Sequence, residues 1–260
     1  MDKATHRTIA VMAAMIGITL GLTGPAGAAP HTRPAGNASA GTLVSRTGTS
    51  VTVTAAVGVS NTISLWRTGD VIRVRDTGDF VVGTGGCTAV GAHEAVCPGA
   101  GGLTELVVDA GDQSDDITSS LATTGATLTG GSGDDSLYGG DANDTLEGGE
   151  GADFLSGGAG NDTLIGSSGR DRILGGDGND SIEGRNGSDF IDAGAGNDVV
   201  DGGNGNDQVT AGPGNDFVDG GTGRDSLDAI DGIGGNDRIQ GGAQTDTCRA
   251  DRGDSVTACP

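Results

Sequence analysis

From Gly130 onward an aliphatic residue recurs every nine positions, set among glycine, aspartate and small polar residues. The units run GGSGDDSLY, GGDANDTLE, GGEGADFLS, GGAGNDTLI and on to GGTGRDSLD, eleven in succession over residues 130–228. The eighth position is Leu, Ile or Val in all eleven and the sixth is Asp in all eleven; the fourth is Gly in ten, Ala142 being the exception. This phase predicts a turn over the first six positions, where glycine supplies backbone angles closed to other residues. A three-residue strand with one apolar side chain follows. Turn plus short strand buries nothing alone. Stacked at about 4.8 Å with two units per coil, the aliphatic residues become ladders inside a thin two-sheet solenoid of about five to six coils.

The phase continues, degraded, on both sides. AGDQSDDIT (110–118) carries Asp115 and Ile117 in the sixth and eighth places, and SSLATTGATLT after it reads as an eleven-residue insertion. Ala229–Gln240 is a unit lengthened by three residues that retains Asp237 and Ile239. GGAQTDTCR (241–249) carries Asp246, with Cys248 in the aliphatic place, and residues 250–260 read as a terminal cap. Upstream, in 41–109, the alternation changes to that of ordinary strands. SVTVTAAV (50–57), TISLW (62–66), DVIRVRD (70–76) and LTELVVD (103–109) are the expected strands, with Arg67-Thr68-Gly69 as a turn and Gly86–Cys97 as a closed loop. This region is either a separate sandwich-like unit or a glycine-poor continuation of the solenoid. The fold class is therefore all-β, a parallel solenoid over 110–249 preceded by a small β-rich N-terminal region.

The first residues address the chain. Lys3 and Arg7 precede the apolar run Ile9–Leu22, and Ala26 and Ala28 form an A-x-A site, so residues 1–28 read as a secretory signal peptide rather than an anchor helix. Residues 29–40 read as a flexible leader. Export makes disulfides the expected state of Cys87, Cys97, Cys248 and Cys259. Three connectivities are open, and pairing within each neighbouring couple closes the shortest loops. A thiolate metal site is disfavoured, since no C-x-x-C spacing occurs.

Charge then decides the chemistry. The formal net charge is −22, and the sole lysine is Lys3. Such a balance excludes nucleic acid and anionic membrane surfaces as partners, and with no second apolar run the mature chain is not expected to insert in a membrane. Within 130–249, six Arg face 24 Asp and Glu. Stacking would pile the sixth-position aspartates into two files of like charge, which need a counter-cation. Carboxylates and turn carbonyls, with no matching His or thiolate, select a hard cation, and flexible oxygen ligands suit calcium better than magnesium.

The unit G-G-x-G-x-D-x-U-x resembles the RTX, or hemolysin-type, calcium-binding repeat. That resemblance implies a parallel β-roll with several Ca2+ ions held between adjacent coils. Matched position by position, it implies carboxylate ligands at Asp135, Asp144, Asp153, Asp162, Asp171, Asp180, Asp189, Asp198, Asp207, Asp216 and Asp225. Asp115, Asp237 and Asp246 match in irregular units. The turn carbonyls implied are those of Gly131, Gly133, Gly149, Gly151, Gly158, Gly160, Gly176, Gly178, Gly203 and Gly205. Ser167 and Arg185 depart from the pattern at the second glycine, and Arg170, Arg172 and Arg224 place guanidinium groups beside Asp171 and Asp225.

A catalytic role finds no support in the motifs. The zinc motif H-E-x-x-H is absent, because His93-Glu94 has no second His four residues on. The expected product is a secreted, monomeric, non-catalytic calcium-binding protein that folds on meeting extracellular calcium. The alternative is a surface or cell-wall adhesion protein. There the array would be a calcium-stiffened stalk and residues 41–109 the head, with Trp66, Arg67, Arg73 and Arg75 as its contact cluster.

Overall fold

The aliphatic periodicity is realised as a core one residue wide. Leu137, Leu146, Leu155, Leu164 and Ile173 are completely buried, each between less buried neighbours on its strand. Consecutive strands fall alternately in two sheets, so each strand pairs in parallel with the one two units away. Leu137 lies beside Leu155 and Leu155 beside Ile173 in one sheet; Leu146 lies beside Leu164 and Leu164 beside Ile182 in the other. The computed structural model describes residues 41–259 apart from Gly235; the expected signal peptide and leader lie outside the described residues. Gly41–Pro260 form one compact unit with two sheets of twelve strands each. The chain is an all-β parallel solenoid of about eight turns.

Eight turns exceed the five to six expected because three stretches add strands to the stack without the glycine–aspartate signature. SSLATTGATLT is not an insertion. Its last nine residues make a complete unit with Ala126 in the sixth place and Leu128 in the eighth. The strand Ala126–Ser132 lies between Glu105–Asp112 and Thr145–Glu150. At the N-terminal end, Ser50–Thr54 and Thr62–Thr68 pair in parallel with Glu105–Asp112 and Asp116–Ser119, forming a first coil. At the C-terminal end, Ser255–Thr257 adds a last strand beside Arg238–Gln240. Residues 41–109 thus continue the solenoid rather than folding as a separate sandwich. Antiparallel strands close its end: Thr42–Thr47 on Ser50–Thr54, Val71–Asp76 on Thr62–Thr68, and Glu94–Pro98 on Val71–Asp76. The outermost strands at this end, Val81–Thr84 and Thr88–Ala89, are short, which limits further pairing.

Two local expectations are corrected. The strand Thr62–Thr68 runs through Arg67 and Thr68, and the turn falls at Gly69–Asp70. The Cys87–Cys97 segment is not an irregular loop. It contains Thr88–Ala89 and Glu94–Pro98, paired antiparallel and tied by the Cys87–Cys97 disulfide. Cys248–Cys259 is the second disulfide, so both neighbouring couples pair. It fastens the terminal segment to the strand Thr247–Ala250.

The second turn position has a positive φ, and this explains its glycines. Gly149, Gly158 and Gly176 have φ of 116°, 110° and 118°, and the exceptions Ser167 and Arg185 follow suit at 83° and 71°. A residue with a Cβ is strained in that region, and the Ser167 hydroxyl is also buried without a hydrogen-bond partner. The Arg185 ion pair with Glu183 (2.9 Å) is solvent-exposed and offsets little. Ser167→Gly and Arg185→Gly are each expected to stabilise the calcium-loaded fold by about 0.5–1 kcal/mol, after allowing for glycine's greater freedom when unfolded. Thermal unfolding at fixed calcium checks this; a lower melting temperature in both variants would contradict the strain.

Candidate metal centre

Each sixth-position aspartate closes its turn and starts a strand, so coil stacking files these residues along the two edges where the sheets meet. One file runs Asp115, Asp135, Asp153, Asp171, Asp189, Asp207, Asp225 and Asp246. The other runs Asp144, Asp162, Asp180, Asp198, Asp216 and Asp237. Every one of these residues is at most 5% exposed. Oδ1 of each array carboxylate reaches back one coil to a backbone N–H. Asp153 N–H donates to Asp171 Oδ1 at 2.9 Å, Asp162 N–H to Asp180 Oδ1 at 2.8 Å, and Asp216 N–H to Asp237 Oδ1 at 2.8 Å. Oδ2 has no hydrogen-bond partner in any member of either file. An ionised carboxylate can accept about four hydrogen bonds, and leaving a buried charge with one is costly. Repeated along both edges, the bare oxygen is an electron-pair donor whose chemistry suits a cation.

The space beside that oxygen is bordered by carbonyls. A Cβ added at first-position Gly139 would lie 2.5 Å from Asp144 Oδ2 and 2.8 Å from the carbonyl oxygen of Gly157 on the next coil. At Gly220 it would meet the Gly241 carbonyl at 2.6 Å and Asp225 Oδ2 at 2.8 Å. The second- and fourth-position glycines also turn their carbonyls along the stack. Those of Gly131, Gly133, Gly158, Gly160, Gly176, Gly178, Gly203 and Gly205 each face the matching glycine of the next coil, where a side chain would collide with them. Gly151 faces Gly169 in the same way, whereas Gly149 faces Ser167. The Gly203 carbonyl already accepts Thr222 N–H at 2.7 Å, leaving one lone pair for an ion. Among the described residues no three His, Cys, Asp or Glu side chains converge as a metal cluster. Any ion here must complete its shell with backbone oxygen and water, which suits a hard, flexible cation such as calcium. The donor set fits that group.

Burial raises the affinity of these carboxyls for protons. Loss of hydration pushes Asp153, Asp162 and Asp207 up to about 7, and Asp115, Asp144, Asp171, Asp198 and Asp216 up to about 6. A backbone N–H bond to each opposes the rise, joined at Asp115 by the Asn61 amide, and a nearby aspartate adds to it. The guanidinium groups do not relieve the charge. Arg172 lies over the Phe190 ring at 4.8 Å, Arg170 is exposed, and Asp171 keeps the same contacts as its neighbours. Arg224, beside Asp225, is exposed as well.

The sequence did not disclose three features. Fifth-position side chains form a second ladder of opposite sense: Asn161 N–H donates to Asn143 Oδ1, Asn179 N–H to Asn161 Oδ1 and Asn197 N–H to Asn179 Oδ1, at 2.7–2.8 Å. Their Asn-Asp habit was its signal. In the file headed by Asp144, the same interior position is held in the three preceding coils by Val51, Leu106 and Ala126, all buried. Carboxylates are thus absent where apolar side chains can fill the corner. In the other file, Asn61 stands one coil ahead of Asp115. The segment S-N-T-I-S carried that signal, with amide in place of acid.

The array matches the family model of the RTX calcium-binding nonapeptide repeat at residues 123–155, 156–191, 165–200, 192–227 and 228–256. The chain belongs to the RTX calcium-binding repeat family. No curated protein and no solved structure matches it. As a member of the RTX family it is a calcium-binding repeat protein, and its β-roll extends beyond the matched residues through the coils built from 41–122.

Proposed function

We propose that this RTX chain is an exported, non-catalytic protein that folds its array around several calcium ions. The observation that carries the reading is the row of buried, partnerless Oδ2 atoms along both edges. Asp135 to Asp225, with Asp115, Asp237 and Asp246, would hold the ions together with turn carbonyls such as those of Gly158, Gly160, Gly176 and Gly178. Calcium supplies positive charge between facing coils and so joins each turn to the next. Extracellular calcium modules bind at about 10⁻⁴–10⁻³ M, so the array would stay unfolded until export. The two disulfides accord with an oxidising destination.

The adhesion reading loses support at its proposed head. Arg73 and Arg75 are bound to Glu94, at 2.6 and 3.3 Å, and Arg75 lies over Trp66 at 5.4 Å. These groups satisfy one another across the capping strands. His93 likewise stacks on Phe80, with ring centroids 5.7 Å apart. Native mass spectrometry of the chain recovered from culture medium tests the proposal. The expected species begins near residue 29 and carries several calcium ions. Recovery only from the cell interior, or a secreted chain without calcium, would overturn it.

A further inference from the structure

We propose that Asn61 and Asp115 form an additional calcium site in the first coil, outside the nonapeptide array. The inference rests on the calcium reading of the array and extends it to a coil that the repeat pattern does not mark. Asn61 repeats the register and the backbone bond of the interior file, with an amide in place of the acid. Its backbone N–H donates to Asp115 Oδ1 at 2.5 Å, as Asp115 N–H donates to Asp135 Oδ1 at 2.8 Å. Asn61 is 1% exposed and Asp115 is 4% exposed. Oδ1 of Asn61 and Oδ2 of Asp115 are both buried without a partner. The amide orientation is fixed by its other end: Nδ2 donates to the Val59 carbonyl at 2.8 Å and to Asp115 Oδ1 at 3.1 Å. Turning the amide over would set oxygen against both acceptors. The uncommitted atom of Asn61 is therefore its oxygen, on the residue that stands in register with the aspartate of every later coil of this file.

An amide oxygen is a normal calcium ligand. This pair differs from the interior ones in charge, offering one negative charge where two successive aspartates offer two. The site at the head of the file is accordingly the weakest, filling last and emptying first. The file stops there for a visible reason. Asp76, the next acid toward the capped end, accepts hydrogen bonds from the Thr42 hydroxyl, Thr62 N–H (3.2 Å) and Gly78 N–H (2.8 Å), so both its oxygens are committed. Asn61 thus closes the row of calcium ligands, and its ion would join the capping coil to the first coil that carries aspartate.

Native mass spectrometry of the full chain over a calcium titration tests this with two variants. Asn61→Ala is expected to saturate with one ion fewer than the wild type, its β-signal at high calcium confirming that it folds. Asn61→Asp restores the second charge; it should bind the wild-type number, with the last ion entering at roughly tenfold lower calcium. Should Asn61→Ala fail to fold, Asn61→Asp decides alone. A full wild-type complement in Asn61→Ala, or a last step unmoved in Asn61→Asp, would overturn the site and leave the array reading intact. A wild type that binds no calcium would overturn both.

Discussion

Stripped of metal at pH 8, the secreted chain is expected to lose most of its far-ultraviolet β-signal, and millimolar calcium to restore it. The reason lies in the balance along the two edges. The core offers one aliphatic side chain per nine residues, against the entropy of ordering a glycine-rich backbone. Each coil of the nonapeptide array also buries carboxylates whose Oδ2 atoms meet no donor. Without a cation these charges repel the next coil and have lost their water. With calcium, the same oxygens become ligands and binding free energy becomes folding free energy. Magnesium at equal concentration should restore little, because it demands stricter geometry and releases its waters reluctantly. Equal recovery with both ions would reduce the effect to charge screening. The N-terminal coils should survive best in the absence of metal. Val51, Leu106 and Ala126 fill one edge there, and the Cys87–Cys97 disulfide holds the cap.

Acid is expected to act in opposite directions on the two states. In the metal-free fold, burial raises Asp153, Asp162 and Asp207 to about 7 from an ordinary value of 3.8. The folded state therefore binds more protons than the unfolded one between about pH 4 and 7. By linkage, the metal-free fold is least stable above pH 7, gains stability as pH falls through that window, and gains no more from these groups below pH 4. Circular dichroism of the metal-free chain should show β-structure increasing from pH 8 to pH 4.5. Where acid has refolded the metal-free chain with protonated carboxyls, calcium must displace those protons, so the calcium midpoint should be higher at pH 5.5 than at pH 8. A midpoint independent of pH, together with a metal-free chain indifferent to acid, would mean that the carboxylates are not buried as described.

Much of this was legible in nine letters. The invariant Asp and aliphatic places gave the sheet alternation, the two ladders and the two files, because a strict period leaves one way to stack. What stayed hidden was hidden for a chemical reason. The units of Leu106 and Ala126 have the solenoid's geometry with an apolar side chain at the sixth place, so they lack the aspartate by which a unit is recognised, although the other half of each coil carries Asp115 or Asp135. Asn61 differs from the motif by one amide, and its surroundings, AVGVSNTIS, hold a single glycine. The capping strand Glu94–Pro98 was hidden by its pairing, since contact with Val71–Asp76 on one side and Thr88–Ala89 on the other makes a strand of the segment around Cys97. The arginines beside Asp171 looked like rivals for its charge, yet a preference for stacking on Phe190 takes Arg172 away.

Anomalous diffraction from crystals grown in calcium tests the central claim most directly. The account predicts two rows of calcium peaks along the edges of the roll, each within about 2.3–2.6 Å of an aspartate Oδ2 and of turn carbonyl oxygens. Edges free of calcium in a folded roll, with Oδ2 atoms bonded to water or to protein donors instead, would contradict it.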